Sequence, residues 1–226
     1  MLKSFVHYLT ISKSFIHIPL PPIRLIDVHL TDKHFFYQKE CEERAQTVAK
    51  QSILGQNKEK HMIKVLFICH GNICRSTMAQ SVFTHLARQS QLDSCFEIDS
   101  AATSTEEIGN PPHHGTKRKL QQEQILLIPH RARQMTRADY TYYDYLIGMD
   151  GANIRNMMRV AGGSDVEGKI YKMLSFADYE KTHKLSEARD VADPWYTGDF
   201  DQTFEDVLVG CKGLLAYIKD REQLHK

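Results

Sequence analysis

Between residues 62 and 222 the apolar positions follow two alternating rhythms. Lys64-Val65-Leu66-Phe67-Ile68 is a short, nearly continuous apolar run, the pattern of a strand buried on both faces of a parallel sheet. It ends at Cys69, and His70-Gly71-Asn72 follows as a turn. Ala79, Val82, Phe83, Leu86 and Ala87 then recur at helical spacing and predict a helix with one buried stripe. Phe96–Ala101 predicts a second strand and Tyr143–Met149 a third. Asp150 is placed to cap a helix whose apolar side includes Ile154, Met157 and Met158, with Gly162 as its stop. Lys169–Leu174 predicts a fourth strand, and Phe204, Val207, Leu208, Cys211, Leu214, Leu215 and Ile218 mark the last helix. Alternating strands and helices predict a small α/β sandwich with a mostly parallel sheet. Its functional residues belong at the carboxyl ends of the strands.

Ahead of Met62 the rhythm is weaker. Nine Lys/Arg against six Asp/Glu give residues 1–61 a net charge of +3, whereas 20 against 22 give residues 62–226 a net of −2. The opening stretch is basic and broken by Pro19, Pro21 and Pro22, as in some targeting segments. Polar residues interrupt the apolar core that a secretory signal needs, and Arg24 is its one arginine, too few for a mitochondrial presequence. Tyr37, Cys41, Ala45 and Val48 form a faint helical pattern that Gly55 would stop. Residues 1–61 are expected to be an extension without catalytic duty, mis-started or disordered, and residues 62–226 the functional domain.

Composition narrows the function. With 42% apolar residues the chain is globular rather than disordered. A net charge of +1 leaves no electrostatic footprint for nucleic acid. No run approaches the ~20 apolar residues of a membrane span. Five cysteines, an odd number, do not form a disulfide framework and fit reduced thiols in a cytoplasmic protein.

One of those thiols ends the first strand, in Cys69-His70-Gly71-Asn72-Ile73-Cys74-Arg75-Ser76. A cysteine, five residues and an arginine between a strand and a helix make a loop whose backbone N–H groups can surround a tetrahedral dianion. Gly71 permits close backbone approach and Asn72 tolerates a left-handed conformation. Arg75 can grip two phosphate oxygens bidentately. The helix dipole, the amides and Arg75 all favour a thiolate at Cys69, and Ser76 can donate to its sulfur. Together these residues suit attack on phosphorus and a phosphocysteine intermediate. A zinc site at Cys69, His70 and Cys74 lacks the paired ligand spacing. Such a reaction needs an acid for the leaving oxygen and a base for water. Asp193, in Asp193-Pro194-Trp195-Tyr196, is the candidate, with the two aromatic residues as walls for a flat substrate; an ordinary Asp-Pro turn is the competing reading.

From Met62 onward the chain resembles the low-molecular-weight protein tyrosine phosphatase family. The resemblance rests on residues 69–76, Asp99-Ser100-Ala101-Ala102-Thr103-Ser104, Ile108-Gly109-Asn110-Pro111-Pro112, Ala132-Arg133-Gln134, Met149-Asp150 and Asp193–Tyr196, in order and at family spacing. It implies a doubly wound, four-stranded parallel sheet flanked by helices. It also implies Cys69 as nucleophile, Arg75 as phosphate ligand, Asn72 and Ser100 as a pair holding the loop, Ser76 tuning the thiolate and Asp193 as acid/base. The resemblance implies no metal or other cofactor. The implied substrates are phosphotyrosine-containing proteins, handled by a monomer or weak dimer without nucleic acid or membrane. Residues 70–74, Ser76, Glu106, Trp195 and Tyr196 would surround the bound group, and Cys69 with Cys74 would form a redox pair.

Three residues depart from the family pattern. Thr77 replaces a usual Pro at the helix start, His70 replaces an apolar rim residue, and Glu106 stands at an aromatic or apolar rim position. An acid there would repel a dianion or favour a basic flank on the substrate. Ile73 is the branched apolar residue of the phosphotyrosine enzymes, where phosphoarginine phosphatases carry Thr. A phosphoarginine phosphatase is therefore the nearest alternative. An arsenate reductase fits less well, because Cys95 and Cys211 are poorly placed for a disulfide relay. A phosphate-binding module without turnover would not need Cys69, Arg75 and Asp193 together.

Overall fold

The computed structural model describes residues 62–224. The faint helical pattern at Tyr37–Val48, and the rest of the amino-terminal extension, lie outside the described residues. Four parallel strands, β1 (Ile63–Cys69), β2 (Phe96–Ala102), β3 (Tyr145–Gly148) and β4 (Ile170–Lys172), form one sheet in the order β2-β1-β3-β4. The helices are α1 (Arg75–Gln89), α2 (His114–Gln122), α3 (Arg137–Tyr142), α4 (Gly151–Ala161), α5 (Tyr179–Thr182), α6 (Pro194–Thr197) and α7 (Phe200–Arg221). Order reverses between β1 and β3, which opens a crevice beyond their carboxyl ends, where such sheets bind ligands.

β1 shows why its sequence is almost wholly apolar. Ile63, Val65, Phe67 and Cys69 enter the core on the face that also buries Val82 and Phe83 of α1 and Val207, Leu214 and Ile218 of α7. Leu66 and Ile68 point to the other face, with Tyr140 of α3 and Met157 of α4. The sheet is thus covered on both sides, as a parallel sheet requires.

The strand ends differ from the hydrophobic runs. β3 is shorter than Tyr143–Met149, because Tyr143 caps α3 and Met149 turns into the loop towards α4. β4 stops at Lys172, and Met173–Phe176 coil into a 3-10 turn that buries Met173, Leu174 and Phe176. α7 lies hard against this turn. A methyl group on Gly213 would stand 1.7 Å from the Phe176 carbonyl oxygen, so only glycine permits the approach.

Candidate active site

Cys69 closes β1 and α1 begins at Arg75, so residues 70–74 bridge a strand end and a helix start. No side chain caps α1. Its first-turn amides therefore remain suited to an anion. The bridge is held by Asn72, which is fully buried and left-handed at φ 57°. That conformation costs a non-glycine residue about 1–3 kcal/mol. Four hydrogen bonds offset it. Asn72 Nδ2 donates to Ser76 Oγ and Ser100 Oγ, both at 2.9 Å. Asn72 Oδ1 accepts from Arg133 N at 3.1 Å and His130 Nε2 at 2.6 Å. The main-chain donor at Arg133 settles which amide atom is oxygen. Ser100 in turn donates to Gln80 Oε1 at 2.8 Å.

This order determines what Cys69 receives. Ser76 Oγ accepts from Asn72, so its own hydrogen is free to point at Cys69 Sγ, 3.0 Å away. Asn72 N donates to the same sulfur at 3.2 Å. His130 was not anticipated from sequence. Its ring is almost fully buried, and burial lowers its pKa against the pull of Asp99. The neutral ring carries its proton on Nε2, the atom that meets Asn72.

Arg75 is buried and pinned at both ends. Nη1 donates to Asp150 Oδ2 at 2.7 Å and Nη2 meets Asp193 Oδ2 at 2.6 Å. Burial works against the guanidinium charge, but Cys69, Asp193 and Asp150 outweigh it and raise the pKa. The sequence reading made Asp150 a helix cap, and it is one, with Oδ1 accepting from Asn153 N at 2.6 Å. Its second oxygen orients Arg75, a role that local sequence does not reveal. Asp193 likewise caps α6, with Oδ1 accepting from Trp195 N at 3.1 Å. Its other oxygen faces Arg75.

Cys69, His70, Gly71, Ile73, Cys74, Arg75, Glu106, Glu107, Asp193, Trp195 and Tyr196 line a cavity of about 110 Å³. The sulfur lies at its buried end, while Trp195 and Tyr196 are 59% and 83% exposed at the mouth. Ile73 packs with Cys74 and Ala132. Asn72, Ser76 and Ser100 stand behind the loop rather than in the cavity wall. Burial, then the charges of Cys69 and Asp193, push the Cys74 thiol up to about 12. Residues 69–76, Glu106, Asp193, Trp195 and Tyr196 are thus gathered beyond the carboxyl end of β1, with Ser100 of β2 behind the loop. Glu107 joins them, and a Cβ on Gly71 would crowd its side chain at 3.0 Å.

Residues 64–224 match the family described as low molecular weight phosphotyrosine protein phosphatase. The chain belongs to this family. It is 39% identical over 163 residues to the low molecular weight protein-tyrosine-phosphatase YfkJ of Bacillus subtilis, covering 72% of this chain and all of the relative. It is 36% identical to the low molecular weight phosphotyrosine protein phosphatase of Rattus norvegicus, covering 67% of this chain and 92% of that protein. The crystal structure of YfkJ superposes with a TM-score of 0.65 at 40% identity, over 72% of this chain and 98% of the other. A Drosophila arginine phosphatase shares the fold at 24% identity and a TM-score of 0.59, over 70% and 98% of the two chains.

Within this low-molecular-weight phosphatase the three unusual residues acquire contacts. His70 Nε2 and Glu106 Oε2 meet at 3.0 Å, so the two odd rim residues pair with each other. Thr77 does more than start the helix. Its hydroxyl donates to the carbonyls of Ile73 at 3.1 Å and Cys74 at 3.0 Å, tying α1 back to the loop. Among the described residues, no helix is long and apolar enough to cross a membrane.

Proposed function

We propose that this chain is a protein tyrosine phosphatase that hydrolyses phosphotyrosine and aryl phosphates through a phosphocysteine on Cys69. The supporting observation is the convergence of Ser76 Oγ and Asn72 N on the Cys69 sulfur, with Arg75 beside it and Asp193 at the mouth. The thiolate attacks phosphorus, the P–O bond breaks, and the departing phenolate oxygen takes a proton from Asp193. Water then attacks the phosphocysteine, Asp193 takes its proton, the P–S bond breaks and inorganic phosphate leaves. Loop amides and Arg75 hold the equatorial oxygens in both steps. A guanidinium has five N–H donors, so the bonds to Asp150 and Asp193 leave others for phosphate. An incoming phosphoryl group also competes with Asp193 for Nη2, freeing the carboxyl to face the leaving oxygen.

Depth and walls favour aryl esters. A phenyl ring spans the distance from the mouth to a buried sulfur, whereas the phosphoserine side chain is short. Each aromatic contact from Trp195 or Tyr196 adds about 0.5–1.5 kcal/mol. The alternative substrate, phosphoarginine, meets Ile73 at the cavity wall. A branched apolar side chain there crowds a guanidinium and offers no hydroxyl to position water. Glu106 pulls the other way, but it lies at the rim and is engaged by His70. Phosphotyrosine peptides are therefore expected to exceed matched phosphoarginine and phosphoserine peptides in kcat/KM, and Ile73→Thr should move the ratio towards phosphoarginine. A wild-type preference for phosphoarginine would reverse the assignment.

Cys74 supplies a redox safeguard in this reading. Peroxide oxidises Cys69 to a sulfenic acid, Cys74 sulfur attacks it, and water leaves as the disulfide forms. The Cys69 charge that helps to raise the Cys74 pKa is lost on oxidation. Peroxide-inactivated wild type should regain activity with dithiothreitol, and Cys74→Ser should regain much less. Equal recovery would remove Cys74 from this role.

A further inference from the structure

The segment that delivers Asp193 is tied down residue by residue. Lys172 Nζ binds the Ala188 carbonyl and the Asp190 carboxylate, and Asp190 accepts from Gly151 N at 3.1 Å. Val191 N donates to Met149 O at 2.9 Å. The residue just before the acid is held at both main-chain polar atoms by α7: Ala192 N donates to Asp206 Oδ2 at 3.0 Å, and Thr203 Oγ1 donates to Ala192 O at 2.9 Å.

Asp206 is an unusual residue for this place. It sits on the buried side of α7 at 3% exposure, next to Val207 in the core. Its carboxylate is fully occupied by two bonds from Arg189, one from Gln202 Nε2 at 2.9 Å and the one from Ala192 N. Burial raises the pKa of its carboxyl, but these donors more than offset that and lower it. A buried ion pair adds little net stability over an apolar residue of similar size. What the carboxylate supplies is a fixed acceptor for one particular backbone N–H. Arg189, whose side chain is largely exposed, neutralises it from the solvent side.

We propose that Asp206 is the positioning residue of the acid loop: through Ala192 it holds the Asp193 carboxyl at the reacting oxygen, with Arg189 as its counter-ion. The proposal rests on the reading of Asp193 as general acid. Misplacing a reacting group by about 1 Å costs on the order of 10²-fold in rate, so the effect belongs to proton transfer rather than phosphate binding.

The test compares kcat/KM for phosphotyrosine with that for an aryl phosphate whose weakly basic leaving group needs little protonation. The variants are Asp206→Leu, Asp206→Asn, Asp193→Asn and Asp193→Asn with Asp206→Leu. Inhibition by inorganic phosphate reports on the loop, and the thermal midpoint reports on the fold. Asp206→Leu is expected to lower phosphotyrosine turnover ~10- to 100-fold, to spare the activated ester to within a few fold, and to leave phosphate inhibition unchanged. In the Asp193→Asn background it should add nothing, since there is no proton left to position. Asp206→Asn keeps an acceptor oxygen and the side-chain shape, and should show a smaller loss with the same leaving-group dependence even where Asp206→Leu fails to fold. Equal losses on both substrates, additive losses in the double variant, or full activity would overturn the proposal. A normal Asp193→Asn enzyme would instead overturn the general acid, and the positioning role with it.

Discussion

Cys69→Ser is expected to abolish turnover while leaving the site able to bind. A serine oxygen accepts the same bonds from Ser76 Oγ and Asn72 N that now meet the sulfur at 3.0 and 3.2 Å. The Asn72 relay to Ser100, His130 and Arg133 does not involve the thiol and should persist. What disappears is the anion, because an alcohol does not ionise in the range where a thiol does. Losses on removing an enzyme nucleophile run to the order of 10⁴–10⁶-fold. Turnover of p-nitrophenyl phosphate and calorimetric binding of a phosphotyrosine peptide should therefore separate completely in this variant. Residual activity within tenfold of wild type would exclude a phosphocysteine.

Asp193→Asn carries the second-largest effect, and its structural cost is small. Asparagine still caps α6 through the oxygen that accepts from Trp195 N. Arg75 keeps Asp150 at its other end. The change therefore removes the titratable carboxyl without dismantling the loop. Phosphotyrosine kcat/KM should fall by roughly 10²–10⁴-fold, the scale of lost general acid catalysis. The deficit should shrink as the leaving group becomes less basic. A flat deficit across leaving groups would assign Asp193 to holding Arg75 rather than to proton transfer.

The four strands and the helices α1, α4 and α7 were legible because burial on two faces forces long apolar runs, as in Val65–Ile68, and one-sided burial forces the stripes of α1 and α7. The loop was legible because its chemistry is compressed into eight consecutive residues, 69–76. Residues that act across long sequence separations were not. His130 reaches Asn72 from 58 positions away, in a stretch without periodicity. Asp150 read as an ordinary cap and Asp206 carried no signal of its own, since local pattern cannot report a partner 75 or 14 positions distant. α2 was missed because its sequence, HGTKRKLQQ, carries few apolar residues to mark a stripe. α3 had a usable signal, the Thr136–Asp139 capping box. The ends of β3 and β4 failed for a different reason: Tyr143, Met149, Met173 and Leu174 are buried without being in strands.

The bare backbone of Gly213 against the Phe176 carbonyl has a reach beyond packing. Gly213 and Asp206 are seven residues apart on one rigid rod, about 10 Å along its axis at 1.5 Å per residue. The height at which that rod rests on the 173–176 turn thus sets where Thr203 and Asp206 stand when they grasp Ala192. A methyl at 213 acts as a shim under one end of a lever whose other end holds Ala192, the neighbour of the proposed acid. Gly213→Ala should destabilise the fold through overpacking by about 1–3 kcal/mol or more, read as a lower thermal midpoint. In the molecules that remain folded it should also steepen the dependence of turnover on the leaving group. One close contact between α7 and the 173–176 turn thus bears both on packing and on where the anchors of Ala192 stand.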